Sequence, residues 1–589
     1  MTDAPDARLD WSEPGAPRSR RFGDVYYSME DGLAESRAVF LEGCGLPDAW
    51  RGRSGFTVAE LGFGTGLNIA ALLHLWRESG ATGRLHVFSV EGFPVSRQDA
   101  ARALSAWPDI AEDARALLTR WPDATPGFHR MDLPGWNATI DLFVGDVAQA
   151  LAQWSGMADA WFLDGFSPAL NPDMWSDAVL DGVAARSAPG ARVATFTVAG
   201  AVRRGLTERG FEVHKRPGHG RKRERLEAAL PGKRADPGAT RVAVLGAGVA
   251  GASMVRSLRA LGLDPLVIAE ATRGASGFPA ALATPRLDVG DEELAQLFAQ
   301  ALERAGQLYD GVAGAVVSRG VLRLEHGDRD AGRFDKVARQ PIWGSAAMTR
   351  MDAARASGML GEAVRVGGLM MHDALTVRPP AILDAWLAGA PRVTARAARL
   401  ERSGADWRVL GEAGEVLARA GAVVLAAGWG AAGLGVAGLQ PVRGQAGWAD
   451  LAGAPAMGAA WGGYAAPTGE GVLFGATHDR NDTDEAARDA DDQRNLETLK
   501  AMLPQLAGRL GAGHIHRHAA IRATTRDRLP VAGRLEEGLF VLGGLGSRGF
   551  TAAPLLADHV ASLIADTPSP LPRALARRVA PDRPGLASR

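Results

Sequence analysis

A chain of 589 residues, 46% hydrophobic and 23% charged, is long enough for more than one core and too apolar to be disordered. Its 74 glycines and 33 prolines follow no triplet period, which excludes collagen, and no apolar run is long enough to span a bilayer. A net charge of −1 excludes attraction of nucleic acid by the molecule as a whole, and a single cysteine, Cys44, excludes internal disulfides and thiolate clusters. Met1–Arg21 is polar and Pro-rich, without a signal peptide's apolar stretch, so a reducing, cytoplasmic setting is expected.

The first half opens on an apolar run, Phe56–Leu61, followed by Gly62-Phe63-Gly64-Thr65-Gly66 and a helical pattern over Leu67–Trp76. Leu85–Val90, Ile140–Val144, Ala160–Leu163 and Arg192–Phe196 are predicted strands, with helices over Ser96–Ala106 and Met174–Ala185 between them. That alternation predicts an α/β fold, a parallel sheet covered by helices. The glycines Gly62, Gly64 and Gly66 let a ligand approach the backbone. Glu60, at the end of the first strand, is placed to bind a ligand amine. Glu91, after the second, stands where ribose hydroxyls would lie, and Asp146, after the third, can contact an adenine amino group. This ordered set looks like a class I S-adenosylmethionine-dependent methyltransferase. Asp164, in Phe162-Leu163-Asp164-Gly165-Phe166-Ser167-Pro168, sits where a carboxylate could take a proton from an attacking amine or hold it in line.

Arg203–Arg234 is a basic stretch, rich in Lys and Arg, that suits either a phosphate-binding patch or a solvated connector. The composition of Leu230–Gly238 suits a connector, so the chain divides near Ala235 into domains 1–235 and 236–589.

The second half begins with the run Arg241–Leu245, then Gly246-Ala247-Gly248-Val249-Ala250-Gly251 and a helical pattern over Ala252–Leu261. Gly246, Gly248 and Gly251 in this context form a pyrophosphate-binding turn, and Glu270, about 20 residues on, is the acid for an unphosphorylated ribose. FAD is favoured over NAD by Ser276 within Gly274-Ala275-Ser276-Gly277, and by Val423–Gly428, a late strand ending in Gly428. The glycine loop Gly543–Thr551, with Gly546, Ser547, Gly549, Phe550 and Thr551, precedes a helical pattern over Ala553–Ile564 and is placed to face a reduced flavin. Further strands are predicted at Val316–Leu324, Val393–Leu400, Trp407–Leu410 and Phe540–Leu542, giving a nucleotide-binding sheet with a second, mixed sheet. Arg522 is the candidate for gripping a substrate carboxylate, with Arg548 as the second choice. His514, His516 and His518 are predicted to share one strand face, but no nearby acid or cysteine completes a metal site, and none is expected.

Taken together these residues resemble the bifunctional tRNA wobble-uridine modification family, MnmC, over nearly the whole chain. The resemblance is carried by Gly23–Ser28, Asp31–Ser36, Glu60–Gly66, Phe162–Pro168, Asn171–Trp175, Ala194–Thr197 and Gly220–Glu224. In the second half, similar to D-amino-acid-oxidase and glycine-oxidase-like FAD proteins, it is carried by Pro441–Gln445 and Ala523–Pro530. It implies a class I methyltransferase domain followed by an FAD domain with a Rossmann-type sheet and a mixed substrate sheet. The implied activity is removal of the carboxymethyl group from 5-carboxymethylaminomethyluridine by the FAD half, then methylation of the freed amine. FAD and S-adenosyl-L-methionine are the implied cofactors, with Asp164 assisting methyl transfer and Arg522, or Arg548, holding the carboxylate. tRNA is the implied partner, held in part by Arg221, Lys222 and Arg223, with no membrane or metal required; the sequence leaves the oligomeric state open, a monomer being compatible with it. Two departures stand out: Phe278 occupies a position where the family often has Asn, and Ala426–Trp429 lacks a polar residue often found there. An FAD amine oxidase fused to a small-molecule N-methyltransferase would share the glycine loops and Arg522, and a non-catalytic tRNA-binding scaffold would not need the carboxylates.

Overall fold

The structure is a computed structural model that describes residues 9–12, 16–220, 222–234, 241–272, 274–344, 346–510 and 514–586. It resolves into two compact units, one of Met1–Gly238 with Asp566–Arg573 and the other of Ala239–Ala565 with Ala574–Arg589.

Unit 1 is built on an eight-stranded sheet. Its strands are β1 (Gly55–Leu61), β2 (Arg84–Glu91), β3 (Gly127–Leu133), β4 (Ala138–Val144), β5 (Ala158–Leu163), β6 (Ser187–Thr195), β7 (Glu212–Pro217) and β8 (Glu224–Ala229). The spatial order is β3-β4-β2-β1-β5-β6-β8-β7. The five strands from β4 to β6 run parallel, whereas β3, β8 and β7 are added antiparallel at the two edges. β1 and β5 are buried along almost their whole length because both faces are covered, as continuous apolar runs at the centre of a parallel sheet require. The chain leaves β1 through Gly62, Gly64 and Gly66, all at positive φ (94°, 53° and 78°), and enters α1 (Leu67–Glu78). The order of β1 reverses outward on either side, which places the carboxyl ends of β1, β2, β4 and β5 around one crevice.

The basic stretch belongs to this sheet and is not a connector. It comprises a helix, Gly200–Glu208, and the hairpin β7–β8 that forms the sheet's edge. Within unit 1, the segment Asp566–Arg573 returns to the core through its Pro568 carbonyl, which accepts a 3.0 Å hydrogen bond from Arg130. Arg130 also makes two bonds, of 2.7 and 2.6 Å, to the buried Asp141 on the neighbouring strand β4.

Unit 2 carries a six-stranded sheet of β9 (Arg241–Leu245), β10 (Asp264–Ile268), β11 (Arg392–Val393), β12 (Ala422–Leu425), β13 (Val531–Glu536) and β14 (Leu539–Gly543), in the order β11-β10-β9-β12-β14-β13. All neighbours are parallel except β14 and β13. α2 (Val249–Ala260) follows β9, and α3 (Gly549–Ala565) follows β14. A ten-stranded mixed sheet, which includes Val316–Leu324, Leu439–Asp450 and His516–Thr525, forms the second layer of the unit. The strand expected over Val393–Leu400 is two pieces. Val393 pairs with Ile268 in the nucleotide-type sheet, while Arg399 pairs with Leu410 in a separate three-stranded meander, so one apolar run serves two sheets.

Candidate active sites

In unit 1 a cavity of about 790 Å³ opens at the carboxyl end of the parallel strands, lined among others by Gly62, Gly64, Glu91, Asp146, Asp164, Phe166 and Lys222. Its floor is the glycine loop. A Cβ on Gly62 would lie 3.3 Å from the Gly165 backbone, and one on Gly64 3.2 Å from the Tyr26 ring, so only glycine lets the two loops and a ligand share this space. Glu91 accepts hydrogen bonds from the Gly64 (2.9 Å) and Phe93 (2.8 Å) amides, tying the end of β2 to the loop, and burial raises its pKa. Asp146 caps the helix Val147–Gln153 by accepting from the Gln149 amide at 2.8 Å, and it remains exposed on the cavity wall.

Glu60 departs from the expectation. It is 1% exposed, lies beneath the glycine loop and is not part of the cavity wall, because β1 is covered on both faces. One carboxyl oxygen accepts from Ser89 at 2.7 Å, and the other is buried without a partner. Desolvation pushes its pKa to about 8, so the folded chain keeps a proton that the unfolded chain, near 4.5, releases. A folded state that binds more protons loses stability as pH rises from about 4.5 toward 8. Glu60→Gln is expected to flatten this dependence; melting temperatures recorded at pH 5 and pH 8 whose difference is the same in variant and parent would contradict it.

Asp164 stands at the end of β5 on the cavity wall. One of its oxygens accepts from the Gly165 amide at 2.8 Å and the other from Asn68 Nδ2 at 2.8 Å. Burial raises its pKa to about 6, against the lowering effect of these bonds and of the Lys222 charge. Asn68, in the first turn of α1, escaped sequence reasoning; the signal was available, since a polar side chain just after a glycine loop faces the ends of neighbouring strands. The cavity rim is aromatic, with Phe166 packed 4.8 Å from Phe22 and 5.2 Å from Tyr26, ring centre to ring centre.

The basic residues divide. Arg221 lies outside the described residues. Lys222, expected to touch RNA phosphate, sits on the cavity wall, bonded to Glu35 at 2.9 Å and 4.2 Å above the Phe196 ring. On the hairpin, Lys215 pairs with Glu224 at 2.8 Å and Arg225 with Glu227 at 2.7 Å, which neutralises part of the patch. Arg203, Arg204 and Arg223 are exposed and have no carboxylate in ion-pair range among the described residues.

In unit 2 the Gly246–Gly251 turn joins β9 to α2. A Cβ on Gly246 would meet the Ala426 carbonyl oxygen at 2.4 Å, and one on Gly251 the Gly246 oxygen at 1.9 Å, so these glycines are dictated by packing. A Cβ on Gly248 would lie 3.1 Å from Ser276 Oγ, which accepts from the Val249 amide at 3.0 Å across the N-terminus of α2. The helix end and hydroxyl together make a cradle suited to a diphosphate. Glu270, two residues beyond β10, is exposed, and its carboxylate pairs with no described side chain. Gly428 and Gly546 take positive φ (58° and 56°) at loops following β12 and β14, and Gly549 begins α3 beside Val249. Ser547 is exposed in that loop. Phe550 and Thr551 do not meet the expectation of cofactor contact. They are 8% and 0% exposed, and the Thr551 hydroxyl is spent on the Thr284 carbonyl at 2.9 Å. Phe278 packs against His518 with ring centres 5.1 Å apart, and His516 stacks on Trp448 at 5.5 Å, so these histidines face aromatic rings.

Arg522, on His516–Thr525, is held by one hydrogen bond to the Thr477 carbonyl at 3.0 Å, with Tyr464, His478 and Asp479 around it. No described carboxylate lies within ion-pair distance, and burial lowers its pKa. Arg548 is also depressed, to about 10, and its Nε is buried without an acceptor. Both guanidiniums thus stand without a carboxylate in ion-pair range among the described residues.

Family comparisons agree with this division. A family profile of S-adenosyl-L-methionine-dependent methyltransferases matches residues 108–231, and one of FAD dependent oxidoreductases matches residues 241–563. A protein of Caulobacter sp. (strain K31), called tRNA 5-methylaminomethyl-2-thiouridine biosynthesis bifunctional protein MnmC, is 53% identical over 99% of this chain and 98% of its own length. Its namesake in Maricaulis maris (strain MCS10) is 44% identical over 94% and 92%. Among solved structures, iminodiacetate oxidase from Chelativorans sp. BNC1 superposes with a TM-score of 0.51 at 22% identity, over 58% of this chain and all (100%) of that one, a likeness of fold.

Proposed function

Because the chain belongs to the MnmC family of bifunctional tRNA 5-methylaminomethyl-2-thiouridine biosynthesis proteins, we propose that it performs both halves of that modification on the wobble uridine. Residues 236–589 act as an FAD-dependent oxidoreductase on a CH–NH bond, converting 5-carboxymethylaminomethyl-(2-thio)uridine to 5-aminomethyl-(2-thio)uridine, with the hydride taken up by FAD and water releasing the carboxymethyl carbons as glyoxylate. Residues 1–235 then methylate the exposed amine as a tRNA (5-aminomethyl-2-thiouridylate) methyltransferase. No helix among the described residues is long and apolar enough to cross a membrane, and we place the work in the cytoplasm, with tRNA.

The observation that carries the reading is the half-buried Arg522, bonded to the Thr477 carbonyl with no described carboxylate in ion-pair range, in a chain whose other unit has Asp164 on a cavity wall. FAD, when bound, supplies a hydride acceptor, and S-adenosylmethionine an electrophilic methyl group. The cradle of Gly248, Ser276 and the α2 N-terminus, with Glu270 for ribose, fits the first; the glycine loop, Glu91 and Asp146 fit the second. Arg522 grips the substrate carboxylate in a planar fork and fixes the neighbouring methylene carbon, so that placement supplies much of the rate. Asp164, ionised above about pH 6 and anchored by Asn68 and the Gly165 amide, accepts a proton from the amine that is to be methylated.

Purified protein supplied with tRNA carrying 5-carboxymethylaminomethyl-2-thiouridine is expected to yield the aminomethyl nucleoside, and the methylaminomethyl nucleoside once S-adenosylmethionine is added, as read by mass spectrometry. Turnover of free N-substituted glycines with the tRNA left unchanged would transfer the reading to a small-molecule amine enzyme.

A further inference from the structure

The histidines at 514, 516 and 518 make ring contacts that neither the diphosphate cradle nor the carboxylate clamp accounts for, and strand register shows where they stand. Leu439–Asp450 pairs antiparallel with His516–Thr525, so Val442 lies opposite Arg522, Ala446 opposite His518 and Trp448 opposite His516. Side chains alternate along a strand, and these pairs therefore share one face of the mixed sheet. The opposite face is filled by the helix Asp489–Met502, where Asp492 accepts from Gln445 Nε2 at 2.6 Å and from Arg517 at 2.8 Å. On the first face the Arg522 guanidinium folds back across Gly444, where a Cβ would meet its Nη2 at 2.2 Å. Four residues along the strand from Gly444, about 13 Å away at 3.3 Å per residue, comes Trp448. His516 stacks on it with ring centres 5.5 Å apart and planes 17° apart, and His514 meets His516 edge-on at 4.7 Å. Both of these histidines are exposed and Trp448 is half-buried, so the face ends in an aromatic patch open to solvent.

The same face carries a cation at its other end. Arg480 pairs with Val442 and so stands in one row with Arg522. It is exposed, and its neighbour Asp479 is taken by Arg494 at 2.7 Å. Aromatic rings and exposed cations along one surface are what single-stranded nucleic acid requires, since every base has a face to stack and the backbone follows positive charge. A free N-substituted glycine would end close to the Arg522 guanidinium and leave the rings unused. We propose that His516, backed by Trp448, stacks the base next to the nucleotide being oxidised. The arm of that nucleotide is short, so its uracil rests near the Ala446–His518 pair and the adjoining base arrives over His516. The proposal rests on the reading of unit 2 as a tRNA-demodifying oxidoreductase and adds what that unit holds of its RNA beyond the modified base.

The test uses the full-length, FAD-loaded protein and three substrates: the nucleoside 5-carboxymethylaminomethyluridine, a pentaribonucleotide carrying it at the centre, and the same oligomer with abasic flanking nucleotides. The parent is expected to favour the complete oligomer over the abasic one by about tenfold in kcat/KM, within the range for one base stacked on an aromatic side chain. His516→Ala should bring that ratio close to one, and His516→Tyr should keep most of it. Trp448→Leu, which removes the support of the imidazole, should lower it as well. Nucleoside turnover and flavin absorbance in the His516 variants are the reference and should match the parent. A ratio near one in the parent, or one that survives His516→Ala, overturns the stacking role while leaving the demodifying activity standing. Loss of flavin or of nucleoside turnover in His516→Ala also overturns it, by assigning the ring to the packing of the flavin site. A parent that sediments as a dimer, with His516→Ala a monomer, overturns it by giving the patch to a second copy of the chain. No turnover of any of these substrates, or of whole tRNA, removes the demodifying reading and the proposal with it.

Discussion

Arg522→Met is expected to lower kcat/KM for carboxymethyl removal by about thirtyfold or more while leaving thermal stability equal to or above that of the parent. The two effects run in opposite directions for one reason. In the absence of substrate the half-buried guanidinium has only the Thr477 carbonyl at 3.0 Å as partner, and no described carboxylate repays its partial desolvation. An apolar side chain of similar length removes that penalty. With substrate present, the same guanidinium makes a charge-assisted pair in a water-poor site, and truncating one partner of such a pair is worth about 2–5 kcal/mol. Methylation of tRNA already carrying the aminomethyl group should be untouched. Wild-type kcat/KM in Arg522→Met, measured by nucleoside mass spectrometry at low tRNA, would take the carboxylate clamp away from this residue.

Asp164→Asn is expected to lower the methylation rate about 10²- to 10⁴-fold, the usual range for loss of a positioned proton acceptor, and to spare demodification. The substitution preserves shape but keeps only one acceptor oxygen, so one of the bonds from Asn68 and the Gly165 amide, both 2.8 Å, is given up along with the charge. The pH profile distinguishes this from mere positioning. With its pKa raised to about 6, Asp164 is protonated below that pH and cannot accept, so the parent's rate should climb through pH 6, and that limb should vanish in the Asn variant. A variant that methylates at the parental rate, or keeps the limb, would remove Asp164 from proton transfer.

Much of this was legible from local spacing. A glycine loop between an apolar run and a helical pattern has one stable geometry, so β1, α1, β9 and α2 were visible, as was Asp164 at the end of β5. What sequence did not reveal depends on partners far along the chain. Glu60 looks like a ligand-binding acid until β2 supplies Ser89 and closes over it, and Thr551 looks available until Thr284 takes its hydroxyl. Lys222 belongs by composition to a basic run, yet its neighbours are Glu35 and Phe196, remote in sequence. The antiparallel edge strands lack a continuous apolar run, β7 because it is exposed along most of its length and β3 because His129, Arg130 and Asp132 interrupt it although it is almost wholly buried, and their pattern alone does not distinguish them from loop.

The return of Asp566–Arg573 to unit 1 bears on how the gene can be dissected. A stop codon after Gly238 would produce a methyltransferase fragment whose Arg130 keeps Asp141 but has lost the Pro568 carbonyl. The first-made unit thus completes this contact only after a residue 438 positions beyond Arg130 has been synthesised, and separately expressed halves are not the native pieces.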